Sequence, residues 1–138
     1  MNRKSFQDLT DLRVKEAEVL FERGRYEGAY YLMGYAVECA LKACIAKQTK
    51  EHDFPDKRFA VNVHTHELEK LAKGSGLWTE FEKELKLNKA LEVNWATVKD
   101  WSEDARYDVG VGEAFAKDFF EACTDPTSGV LNWIKQRW

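Results

Sequence analysis

The sequence predicts an all-α fold, an antiparallel bundle of five to six helices in one domain over residues 1–138. Three observations predict it. The run Gly28 to Leu41, GAYYLMGYAVECAL, is apolar or aromatic almost all round a helix and carries one charge, Glu38. A helix with no polar face must be covered on every side, so this run reads as the central helix of a bundle. Only a residue or two around Gly24 separates it from the preceding helical pattern, and so short a link forces an antiparallel hairpin. No stretch alternates apolar and polar residues as a half-buried strand does.

The elements follow in order. Ser5 and Asp8 suggest an N-terminal cap, and Leu9, Leu12, Ala17, Leu20 and Phe21 fall mostly at helical spacing, which predicts a first helix over about Ser5–Arg23. Gly24 ends it. The second helix runs from about Arg25–Glu27 to Lys47 or Thr49. Residues 48–63 lack a sustained period and contain one of the two prolines, and they read as a loop. Thr65 then precedes the capped amphipathic start HELEKLAK, which GSG at 74–76 stops. A further helical stretch spans about Trp78–Lys89, with Leu91, Trp95 and Val98 continuing the spacing. Gly110 and Gly112 mark a turn or extended link before a helix over Glu113–Cys123. Asp125 and Pro126 form a cap and first-turn pair for a last helix reaching about Gln136.

At 138 residues and 44% hydrophobic, the chain is long enough to bury a real core. The net charge of −3 and pI near 5.7 argue against a generally basic nucleic-acid binder, so any phosphate contact must come from a local patch. Glu38 and Lys42 interrupt the best candidate for a membrane span, and MNRKSFQDLTDLR has no apolar signal-peptide core. A cytoplasmic location without membrane partners is therefore expected. Cys39, Cys44 and Cys123 read as free buried thiols rather than a disulfide.

With the helices placed, the joint pattern resembles the HEPN domain. The matching pieces are ERGRYEGAYYLMGYAVECALKACIAK, the helix start HELEKL after a variable loop, the Trp and Arg-Tyr of WSEDARYD, and a closing helix. The resemblance implies an antiparallel bundle that commonly dimerises and is often encoded beside a minimal nucleotidyltransferase in toxin–antitoxin systems. It implies no cofactor. Active members are metal-independent endoribonucleases with an Arg-x4-6-His motif on a late helix at the dimer interface. Histidine can move a proton near neutral pH and arginine can hold charge developing on phosphate, so the pairing suits RNA cleavage.

This chain departs from that pattern where it matters most for cleavage. The late arginine is Arg106, and no histidine follows it. Tyr107 does not replace the base, since a phenol ordinarily titrates near 10. Only an anion-holding or structural role carries over to Arg106. The expected function is therefore a nucleotide-, RNA- or partner-binding module, with a metal-independent endoribonuclease using a relocated Arg/His site as the alternative.

Arg106, His64 and His66 are the weak catalytic candidates, and Glu38, Lys42, Arg106 and Tyr107 the candidate binding residues. Arg58 and His64 satisfy an Arg-x5-His spacing, but in the loop after the second helix rather than on a late one. His66 reads as a cap or packing residue at its helix start. His52, Asp53, His64 and His66 lack the fixed carboxylate or thiolate set of a convincing zinc centre, so no metal is expected. Glu38 has two readings, an i,i+4 pair with Lys42 or a two-toothed contact with Arg106 across the bundle. The tryptophans at 78, 95, 101, 133 and 138 read as core and interface residues, with Trp138 a partner contact. The cations Arg23, Arg25, Lys47, Lys50, Lys57 and Arg58 read as solvated helix ends and the places where nucleic acid would bind.

Overall fold

The computed structural model describes residues 1–49 and 64–138. It is all-α, with no strand among the described residues. Its elements are α1 (Arg3–Glu22), α2 (Tyr26–Gln48), α3 (Leu68–Gly74), α4 (Trp78–Leu87), α5 (Lys89–Val98), a 3-10 helix (Glu103–Tyr107), α6 (Glu113–Thr124) and α7 (Val130–Lys135).

The α1–α2 hairpin forms as its short link requires. Gly24 takes a positive φ of 73°, and the Arg25 N–H donates to the Leu20 carbonyl at 2.8 Å. A left-handed residue just past a helix end is favourable for glycine alone among common choices, which is why Gly24 stops α1. The N-terminal cap is Asn2 rather than Ser5. Its side-chain oxygen accepts from the Ser5 N–H at 2.8 Å, so the helix begins earlier than the Ser5–Asp8 pattern suggests.

The central position of α2 follows from its composition. Its buried residues run from Ala29 to Ile45 on every side, and it touches α1, α3, the 3-10 helix, α6 and α7. Along one face stand Gly34, Glu38 and Lys42, one turn apart. At Gly34 the indole of the fully buried Trp101 lies directly against the helix backbone. Tyr31, one turn earlier, stacks on that indole with ring centroids 6.1 Å apart. Glycine in a helix interior costs about 1 kcal/mol relative to alanine, and here the loss admits the largest buried side chain of the bundle.

A second aromatic group joins the other end. Phe81 of α4 packs edge-on against Trp95 of α5 and Trp78, and tilted against Trp133 of α7. Trp95, Trp101 and Trp133 are buried, and Trp78 and Trp138 pack partly buried against the same core. The tail is thus held within its own chain. Arg3 donates to the Trp138 carbonyl, Lys47 donates to the Arg137 carbonyl at 3.0 Å, and Lys135 pairs with Asp11 at 2.8 Å.

Three local expectations change. The stretch from Trp78 onward is two helices, because Asn88 leaves helical geometry and its side chain caps α5 by accepting from the Leu91 N–H. Asp125 does not open the last helix. Its carboxylate instead accepts from the Thr127 and Ser128 N–H groups in a tight turn, and α7 starts at Val130 after Gly129. At the start of α3, Thr65 accepts from the Glu67 N–H at 3.2 Å, but the helix proper begins at Leu68. Lys50, His52, Asp53, Lys57 and Arg58 lie outside the described residues.

The three cysteines are free and buried. Burial pushes the Cys39 thiol up to about 12 and the Cys44 thiol up to about 11, and raises Cys123 further.

Two predictions follow from this packing. A Cβ added at Gly34 would sit 2.2 Å from the Trp101 indole. Gly34→Ala should therefore lower stability by about 1–3 kcal/mol despite its gain in helix propensity, read as a lower urea midpoint. The thiols should react with a disulfide reagent only after unfolding. Because their folded pKa values exceed the usual 9.0, the native state keeps protons that the unfolded chain loses, so stability should fall as pH rises from about 9 toward 11. Urea titrations across that range would test the sign.

Candidate functional site

The other two members of the α2 face, Glu38 and Lys42, form the inner end of a charged chain. Glu38 is 1% exposed, and a carboxylate that deep must be paired or it destabilises the fold. Lys42, one turn along the helix, donates to its Oε2 at 3.0 Å. His66, in the segment entering α3, meets its Oε1 through Nδ1 at 3.0 Å. Each carboxylate oxygen thus has one nitrogen partner.

The chain continues outward. The other ring nitrogen of His66, Nε2, lies 3.2 Å from Oε2 of Glu103 on the 3-10 helix. That same oxygen lies 4.0 Å from the Arg106 guanidinium, an ion-pair distance beyond ordinary hydrogen bonding. His66 and Arg106 therefore approach one carboxylate oxygen from two different elements.

The 3-10 helix is seated by apolar groups. Trp101 fills the Gly34 gap and Ala105 is buried, while Ser102 caps the first turn by accepting from the Asp104 N–H. This seating turns Arg106 and Tyr107 outward. Tyr107 is 70% exposed, and the Arg106 guanidinium lies 4.9 Å from its ring centroid. The contact with Tyr107, and after it the charge of Glu103, raises the Arg106 pKa, so this cation persists at every ordinary pH.

The geometry decides between the two readings of Glu38. Its partners are Lys42 and His66, and Arg106 is linked to it only through His66 and Glu103. His66 neither caps α3 nor packs passively at its start. It bridges two acids. His64 is exposed and lines a cleft with Lys42, Arg3 and Phe6, on the Lys42 side of Glu38. Among the described residues no group of three or more histidines, cysteines and acids is arranged to hold a metal ion.

A model of the HEPN domain matches residues 11–138, nearly the whole length. The chain belongs to the HEPN domain family. No curated protein and no solved structure matches it. Within this HEPN domain, Glu103 and Gly34 are the two positions that sequence reasoning passed over. Gly34 carried a usable signal, since a glycine inside a strongly apolar helix marks a close approach. Glu103 carried none, being one of 24 acidic residues with nothing local to set it apart.

Removing the inner carboxylate tests the chain. Glu38→Ala would leave Lys42 and His66 without their shared partner, but both are accessible enough to rehydrate. The loss should be about 1–3 kcal/mol, below that of breaking a fully buried pair, and measurable by urea denaturation. Glu38→Gln should lose less, and His66 ring resonances should shift in both variants.

Proposed function

We propose that this HEPN domain is a binding module for a phosphate-bearing ligand, a nucleotide or RNA, and not an efficient ribonuclease on its own. The observation that carries this reading is the exposed Arg106–Tyr107 pair on a 3-10 helix anchored to the core. The guanidinium supplies a permanent cation with several donors, and the phenol ring beside it supplies a face on which a base can stack.

The arrangement of His66 supports binding over cleavage. General-base catalysis needs a ring nitrogen free to take the 2′-hydroxyl proton. Here Nδ1 faces Glu38 and Nε2 faces Glu103, so both are engaged. One observation favours the second reading, a metal-independent endoribonuclease: His66 and Arg106 meet at Glu103 although the family's late histidine is missing. Such an enzyme would need Glu103 to withdraw before His66 could act.

We further propose that the module works as a homodimer alongside a minimal nucleotidyltransferase in a toxin–antitoxin pair. Its exposed apolar side chains, Leu12, Val19, Val109 and Phe115 among them, are consistent with a surface that a second chain covers.

Purified protein should leave single-stranded RNA intact over hours while binding AMP, and it should sediment at about twice 16.0 kDa. Arg106→Ala should weaken AMP binding about tenfold or more, the scale of a lost charged hydrogen bond. Metal-independent cleavage abolished by both Arg106→Ala and His66→Ala would establish the ribonuclease instead.

A further inference from the structure

We propose that Glu103 occupies the position of a ligand phosphate, so that the site opens only to a terminal phosphomonoester strong enough to displace it. This rests on the binding reading above and names its ligand class. One carboxylate oxygen, Glu103 Oε2, sits between the His66 ring at 3.2 Å and the Arg106 guanidinium at 4.0 Å. An imidazole nitrogen and a guanidinium from separate elements, converging on one oxygen, suit a bound phosphate. The chain fills that point with its own anion.

Glu103 is free to leave. It is partly exposed, and the 3-10 helix that bears it is seated by Trp101 and Ala105 rather than by its carboxylate. His66 stays in place when Glu103 swings out, because buried Glu38 holds its Nδ1 from behind at 3.0 Å. Lys42 balances Glu38 in turn. Arg106 remains beside Tyr107, whose exposed ring lies 4.9 Å from the guanidinium.

The internal carboxylate penalises every ligand by the same factor, since each must first displace it. What differs is the strength of the replacement. A phosphodiester brings one negative charge, no more than the carboxylate it removes, and it lacks the advantage of being tethered to the site. A phosphomonoester brings about 1.5–2 charges at neutral pH and three strong acceptor oxygens. Only the monoester gains from the exchange. The ligands so selected are mononucleotides and phosphorylated RNA ends, and the interior of a strand is refused.

Calorimetric titration of the full chain and of Glu103→Gln, Glu103→Ala and Arg106→Ala with AMP, adenosine and the dinucleoside monophosphate ApA tests this. A 5′-phosphorylated RNA hexamer and its 5′-hydroxyl counterpart distinguish a free nucleotide from an RNA end. The unaltered protein should bind AMP at least tenfold tighter than ApA, and adenosine weakest. Both Glu103 variants should bind AMP and ApA about three- to tenfold tighter than the unaltered protein, the scale of two partly exposed ion pairs. Thermal melts establish that each variant is folded. Unchanged or weaker AMP binding in both folded Glu103 variants, with Arg106→Ala still deficient, overturns the role of Glu103 and leaves the binding module standing. ApA binding as tight as AMP overturns the monoester class. AMP binding that survives Arg106→Ala, or no AMP binding at all, overturns the binding reading together with this one.

Discussion

A carboxylate sealed inside an apolar helix is the constraint around which this bundle is arranged. α2 offers Glu38 no water, so its two oxygens must be met by protein. Lys42 meets one from the same helix. The other takes His66, which arrives from the segment entering α3, a helix packed into the core by Leu68 and Leu71. His66 then reaches Glu103 on the 3-10 helix, which the Trp101 ring seats against α2. A single interior acid is thereby linked, directly or through one intermediary, to three elements.

The same face of α2 combines two kinds of specificity. At Gly34 the fit is steric, with an indole occupying the space that a Cβ would take. At Glu38 and Lys42 it is electrostatic. Apolar packing tolerates sliding by a fraction of a turn, whereas a missing Cβ and a paired carboxylate do not. The candidate binding residues Arg106 and Tyr107 stand exposed on the 3-10 helix that this face seats through Trp101.

Much of this was legible beforehand. The hairpin, the central apolar helix and the all-α class followed from periodicity and one glycine, because helix formation and its termination at Gly24 are local events. Membership of the HEPN domain family was legible from spaced segments covering nearly the whole chain. Glu38, Lys42, Arg106 and Tyr107 were singled out from the sequence, but the contacts that link the first three were not. Whether Glu38 meets Lys42 or Arg106 depends on how helices far apart in sequence pack, and His66 was the intermediary that no local pattern announced. The boundary at Asn88 was hidden by apolar spacing that runs on to Val98, and Asp125 closes a turn where a helix start was expected. Each residue is a good cap in isolation, and only tertiary packing decides whether it caps a helix or closes a turn.

The contacts near the tail have a topological consequence. Arg3 reaches the backbone of Trp138, and Lys47 and Asp11 hold the residues just before it. Residues 3 and 138 are therefore neighbours in space. Joining them would take a short linker and little loop-closure entropy. New ends could then be opened at an exposed point such as Gly110, where a Cβ would meet nothing within 4 Å. The order in which the helices are written along the chain is thus less fundamental to this bundle than the set of faces they present to α2.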